Sequence, residues 1–274
     1  MLGGVVSVQV GAAVATTLFD ELGPPGTVFV RLLFAALALV AVWRPSVRAI
    51  GSHGWRLVAL FGVSLAAMNL SFYEALDRIP LGITVTLEFV GPLGVAVLTS
   101  RRRLDLAWAA LAACGILLLS PLPAGSIDAL GAGLALLAGC FWGAYIVLSA
   151  RVGRAFSGGD GLALAMSIGA VLMVPAGIAG AGSDLLDARV LAVGLAVALL
   201  SSAIPYSLEL EALRRLPEGT FGVLMSLEPG VAALAGLVIL GQELSALELA
   251  AIALVIAASA GALGSARAPA AAEA

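Results

Sequence analysis

Ten apolar runs follow one another along the chain, each about as long as an α-helix needs to cross the hydrocarbon of a bilayer. They cover residues 2–19, 27–43, 56–76, 79–99, 104–120, 128–149, 161–181, 188–207, 218–240 and 244–264. Inside hydrocarbon a backbone N–H or C=O finds no water, so such runs must pair their own backbone groups, and a helix does this within one segment. Charge is scarce enough to agree: 11% of the 274 residues are charged and 61% are hydrophobic, against about 25% charged in an ordinary soluble domain. A soluble fold of this length would have too few charges to cover its surface. The expected fold class is all-α integral membrane with ten transmembrane helices. The first run has the length of a signal peptide, but it lacks a basic lead and nine runs follow, so it counts as a span.

The arginines test the count. All 14 basic residues are Arg, and 11 of them fall in alternate breaks: Arg44, Arg48 and Arg56, then Arg101 to Arg103, Arg151 and Arg154, Arg214 and Arg215, and Arg267. The other breaks hold Asp20, Glu21, Asp77, Asp128, Asp184, Asp187, Glu243 and Glu248, with Arg78 and Arg189 as their basic residues. Arg is retained on the cytoplasmic side, so the alternation predicts that both termini are cytoplasmic. Residues 265–274 read as a short cytoplasmic tail. The net charge of -3 adds little, because sidedness matters more than the sum.

A repeat lies beneath the spans. Glu74, Ala75, Leu76, Arg78, Pro80, Gly82 and Pro92 match Glu211, Ala212, Leu213, Arg215, Pro217, Gly219 and Pro229 at a constant offset of 137 residues, and Ser64 falls on Ser201. Five spans separate the copies. An odd number turns the second copy over, so the expected domains are two inverted five-helix repeats, 1–127 and 128–264. Inverted repeats suit alternating access, because the halves can exchange conformations about a central site.

The chemistry expected at that site is carried by polar residues within apolar runs. Glu88 and Glu228 each lie about ten residues into a span, near the bilayer midplane. An acid there costs roughly 2.5–3.5 kcal/mol on insertion scales, which makes each a candidate proton carrier or amine ligand. A protonated acid bonded between helices is the structural alternative. Arg31, near the outer end of span 2, is a candidate partner for a substrate carboxylate, for Glu74 or for Glu88; interfacial snorkelling is its alternative. Asn69 with Tyr73, Thr84 with Glu88, and Ser202 with Tyr206 share helix faces at i, i+4, and Tyr206 is the repeat partner of Asn69. Trp142 and Tyr145 form a close face beside Gly139 and Gly143, a small-residue contact pair. These positions either line a cavity or bond between helices. Pro92 and Pro229 stand mid-span, where a missing N–H breaks or kinks a helix. Glu74 with Arg78 and Glu211 with Arg215 are i, i+4 pairs that read as helix-end supports or as symmetric gates.

Other chemistries find no footing. The sequence has no phosphate-binding glycine loop and no Cys/His metal cluster. Its one histidine, His53, is expected in a cytoplasmic loop, and Cys114 and Cys140 read as buried packing residues. No nucleophile has an evident base. The expectation is a non-enzyme without metal or cofactor, whose partners are a small solute, protons and the lipid bilayer, with no nucleic acid.

The stretches GVSLAAMNLSFYEAL (62–76), IPLGITVTLEFVGPLGVAVLTSRR (79–102), GCFWGAYIVLS (139–149), LSSAIPYSLELEALRRLP (200–217) and TFGVLMSLEPGVAALAGLVILGQELS (220–245) make the resemblance specific. Spread over nearly the whole chain, they resemble the ten-span EamA-type drug/metabolite transporters, and within them the bacterial threonine/homoserine exporters. The resemblance implies a secondary carrier of the bacterial inner membrane, driven by the proton-motive force and exporting small neutral amino acids. It implies a central cavity among spans 1–4 and 6–9. Export of another metabolite or a drug-like cation, and a membrane sensor or scaffold that moves nothing, are the alternatives. One departure is that span 1 begins almost at Met1, without the family's short basic lead.

Overall fold

The computed structural model describes residues 2–47, 50–99, part of 107–118, 128–215, 225 and 227–265. Every described element is helical. In chain order they are α1 (Leu2–Ala15), α2 (Phe19–Trp43), α3 (Ser52–Leu76), α4 (Leu81–Glu88), α5 (Val90–Thr99), α6 (Ala129–Ala155), α7 (Asp160–Ala181), α8 (Ala188–Ala198), α9 (Ile204–Arg215), α10 (Glu228–Leu240) and α11 (Ala246–Ser265). Among the described residues, five stretches are long and apolar enough to cross a membrane: Gly3–Trp43, Ser52–Leu76, Ala129–Ala155, Asp160–Ala181 and Ala188–Glu209. Expected span 5, 104–120, falls largely outside the described residues, as do most of 218–227 and the tail after Ser265.

The ends of the helices follow from a few residues. A short 3₁₀ turn, Thr16–Leu18, joins α1 to α2. The chain kinks at Gly23, whose φ of 63° and ψ of 170° are open to glycine alone without strain. Pro24 and Pro25 then open the second arm, where their missing N–H groups leave no helical bond unmade. The break within the apolar stretch Gly3–Trp43 therefore centres on Gly23. Asp128 caps α6 by accepting from the N–H groups of Leu130 and Gly131, and Asp187 caps α8 by accepting from Arg189 and Val190. Two acids expected in outer loops are thus N-caps. The orphan N–H at the start of α4, on Leu81, donates to Gln242 Oε1 at 3.0 Å, tying that end to the segment after α10.

The polarity of the molecule is the reverse of a soluble protein's. Val42, Leu60, Leu98, Val171, Leu234 and Val238 stand exposed, as do many other large apolar side chains. Gln9, Arg31, Asn69, Glu88, Glu209 and Glu228 are buried. An apolar exterior of this extent is a lipid-facing surface. Within it, α2 packs on α7, α3 packs on α6 and α7, and α10 packs on α4 and α1.

Several expectations need correction. Cys114 and Cys140 are exposed, not buried: both fall on outward apolar faces. His53 lies in the first turn of α3, which begins four residues before the expected span. Arg78 lies two residues beyond the end of α3, so it has left the helical register with Glu74. Its guanidinium faces Asp128 instead, at 3.6 Å. The side chain of Arg215 and the whole of Pro217 and Gly219 lie outside the described residues. Pro92 and Pro229 each stand in the first turn of a helix, α5 or α10, and Pro92 marks the junction between α4 and α5. The residues just before these helices, Phe89 and Leu227, keep right-handed helical backbone angles, so what is interrupted is the hydrogen-bond ladder.

A cavity with three carboxyls and one guanidinium

The break after Glu88 opens the centre of the molecule. Pro92 has no N–H to offer the Glu88 carbonyl, so the helix stops and restarts. At this level α5 and α6 touch backbone to backbone: a Cβ on Gly139 would stand 2.5 Å from Glu88 O, and one on Gly91 would collide with Gly139 O. The Gly139 and Gly143 pair is therefore the contact face for the broken span. It swings Glu88 and Trp142 to one side, where the Trp142 ring meets Phe89 edge-on at 5.4 Å.

A second break lies opposite. Residues Leu199–Ala203 form a π turn, with the Ile204 N–H reaching back to Leu199 O. Pro205 follows, and it cannot supply the N–H that either Leu200 O or Ser201 O would next receive. Both carbonyls find other donors. Ser7 Oγ donates to Leu200 O at 2.7 Å, and Arg31 Nη2 donates to Ser201 O at 2.7 Å. The rest of the guanidinium is similarly engaged: Nε donates to Ser202 Oγ at 2.8 Å, Nη1 to Tyr73 OH at 3.0 Å, and Nη2 also approaches Tyr206 OH at 3.5 Å. Arg31 is 4% exposed. It does not snorkel to an interface, and among the described residues it forms no ion pair. Its fork instead clamps α2 to the end of α3 and to the π turn.

Between the two breaks lies a cavity of about 60 Å³, room for several water-sized groups by the measure of about 10–15 Å³ each. Of the residues expected at the site, Arg31, Asn69, Glu88, Trp142, Tyr206 and Glu228 line it. Tyr73 stands behind Arg31 as a bonding partner. Tyr145 stands behind the wall, its ring tilted against those of Phe61 and Tyr206, and donates its hydroxyl to Glu209 Oε2 at 3.2 Å. Thr84 does not reach the cavity. It is fully buried, and its hydroxyl turns back to Pro80 O at 3.0 Å. Glu74 and Glu211 are not among the lining residues.

Two polar lining residues escaped the sequence reading, Gln9 and Glu209. Glu209 falls three residues after Tyr206, on the same helical face, which was the available signal. Span 8 was expected to stop at 207, whereas α9 continues to Arg215. The cavity thus sets three buried carboxyls, Glu88, Glu209 and Glu228, against a single guanidinium whose donors are mostly engaged. Such a surface holds protons or cationic groups at low cost and offers an anion few N–H groups.

Known proteins share this arrangement of sequence. The EamA-like transporter family matches residues 129–264. The threonine/homoserine exporter RhtA of Escherichia coli (strain K12) is 42% identical over 272 residues, covering 95% of this chain and 89% of that protein. The threonine/homoserine exporter RhtA of Salmonella typhimurium (strain SL1344) is 42% identical over 266 residues, covering 93% and 87%. One solved crystal structure superimposes with a TM-score of 0.69 over 97% of this chain and 96% of its own, at 18% identity, a likeness of fold alone. Apolar exterior, buried polar centre and 42% identity to exporters over most of the chain converge: the chain belongs to the EamA-like transporter family, as a multi-pass bacterial membrane protein that is a transporter and not an enzyme.

Proposed function

We propose that this protein exports small neutral amino acids of the threonine and homoserine kind across the inner membrane, driven by the proton-motive force. The observation that carries the reading is the buried cavity in which three carboxyls outnumber one clamped guanidinium. A zwitterion enters from the cytoplasm and sets its ammonium against Glu88 or Glu228. Its carboxylate takes the N–H left over on Arg31, or backbone donors at a broken span. Protons move inward through one of the acids as the halves rock, and the coupling requires that substrate and proton prefer different states.

The wider frame is part of the proposal: ten spans, two inverted halves, and both termini cytoplasmic. The arginine bias supports the orientation. The two described ion pairs, Arg78 with Asp128 and Arg189 with Glu21, support the grouping of residues by side, because each joins two residues expected in outer breaks. The start of α5 just after Phe89 and of α10 just after Leu227, each with a proline in its first turn, supports the repeat.

Uptake of labelled threonine or homoserine into inside-out vesicles tests the proposal. An acid-interior gradient is expected to drive accumulation, and Glu88→Gln and Glu228→Gln are each expected to reduce it to background while the purified proteins stay folded. Gradient-driven uptake at the wild-type level in both variants removes the acids from the mechanism. Uptake of other metabolites or cations without threonine or homoserine replaces the substrate, and absence of any flux returns the protein to the sensors.

A further inference from the structure

Three buried polar side-chain atoms have no partner among the described residues: Gln9 Oε1, Ser201 Oγ and Trp108 Nε1. Two of them belong to packed contacts. Ser201 Oγ lies where a Cβ on Gly11 would fall, and the Trp108 ring lies 2.7 Å from where a Cβ on Gly261 would fall. Neither residue lines the cavity. Gln9 does, and it is 2% exposed.

A buried amide oxygen without a donor has given up its water for nothing, and such groups in folded proteins ask for a reason. Packing does not supply one. Leu or Met would fill the same volume on the apolar α1 without a polar atom to satisfy. The neighbours at the cavity do not supply a donor either. Asn69, the other amide there, has turned its Nδ2 to Leu65 O at 2.7 Å, and the guanidinium of Arg31 is held by the π turn and Tyr73. The donor comes from what occupies the cavity: water while no solute is bound, and the solute itself when one enters.

The chemistry of that donor follows from the competition around it. An ammonium is drawn to Glu88, Glu209 or Glu228, since charge-assisted bonds are the stronger ones. A carboxylate offers no hydrogen. A neutral amide is left for a neutral group that both donates and accepts and is small enough for this space, which is a hydroxyl. Building on the proposed export of small neutral amino acids, we infer that Gln9 binds the side-chain hydroxyl of the substrate and sets the preference for hydroxylated amino acids. A site built to bond a hydroxyl rejects the analogue that lacks it, because its own polar group is then left unpaired.

One molecule serves as the deoxy analogue of both threonine and homoserine: 2-aminobutyrate. In inside-out vesicles the wild-type protein is expected to take up threonine with a KM about tenfold below that for 2-aminobutyrate. Gln9→Leu and Gln9→Met are both measured, and the variant that keeps 2-aminobutyrate uptake near wild type serves as its own folding control. In that variant the threonine preference is expected to fall to about onefold, through a raised KM for threonine with kcat little changed. A preference kept at the wild-type ratio overturns the inference, as does loss of uptake of both substrates in both variants, which marks Gln9 as structural. Wild-type vesicles that take up both amino acids equally sink the inference alone. Wild-type vesicles that take up neither sink the proposed export and the inference with it.

Discussion

The two broken helices that face the cavity handle their freed backbone groups in opposite ways. At the π turn of Leu199–Ala203, Pro205 withdraws an N–H, and the vacancy is filled at once by Arg31 and Ser7. At Phe89, Pro92 withdraws an N–H from Glu88, and the gap is met by the glycine face of α6 pressed against the carbonyl. The first break is closed by hydrogen bonds and draws a cation into the core. The second is closed by steric fit, and no ion pair reaches the carboxyl of Glu88 or Glu228 among the described residues. A saturated break fixes geometry, whereas an unsaturated one leaves chemistry available to a ligand.

Arg31→Met should separate the two most sharply. It strands Ser201 O and loosens Ser202 and Tyr73, and charged hydrogen bonds of this kind are worth about 1.5–3 kcal/mol each before the recovered desolvation is subtracted. A net loss of about 3 kcal/mol is expected, read as the midpoint of denaturant unfolding in detergent. Arg31→Lys keeps the charge but not the fork and should fall between the two; stability equal to wild type in the Met variant would mean that the clamp holds nothing. Gly139→Ala tests the steric break. Its new Cβ meets Glu88 O, so α5 and α6 must part, at a cost of about 1–3 kcal/mol. The same unfolding measurement checks it, together with a loss of transport out of proportion to the loss of folded protein. Ser7→Ala should have the smallest effect, about 1 kcal/mol, because one neutral bond to Leu200 O is lost. A larger shift for Ser7 than for Arg31 would reverse the assignment of which residue closes the π turn.

Much of this site was legible because membrane depth makes polarity conspicuous. Glu88, Glu228 and Arg31 interrupt apolar runs, and no polar residue is placed there without a partner or a task. What was not legible depended on backbone detail. Hydropathy places Arg31 near the end of a span, and only the π turn supplies the acceptors that draw it inward. Glu209 lies beside Glu211 at what looks like a helix end, and the continuation of α9 alone shows that one faces the cavity. Gln9 carries no charge and stands out against no pattern. The junction between α4 and α5 falls at Phe89, three residues before the proline that causes it. A proline announces a break nearby but not on which side the chain resumes.

The outward apolar faces carry a consequence for how this chain tolerates change. At Val42, Leu98, Val171 and Val238 the neighbour is a fluid acyl chain that reshapes itself around any hydrocarbon side chain. Exchanges among Leu, Ile, Val, Phe and Met there should pass unnoticed, while the same exchanges at Leu65 or Val85, surrounded by fixed side chains, should not. Sequence drift is thereby channelled to the perimeter, and the interior is left to set what the protein can carry.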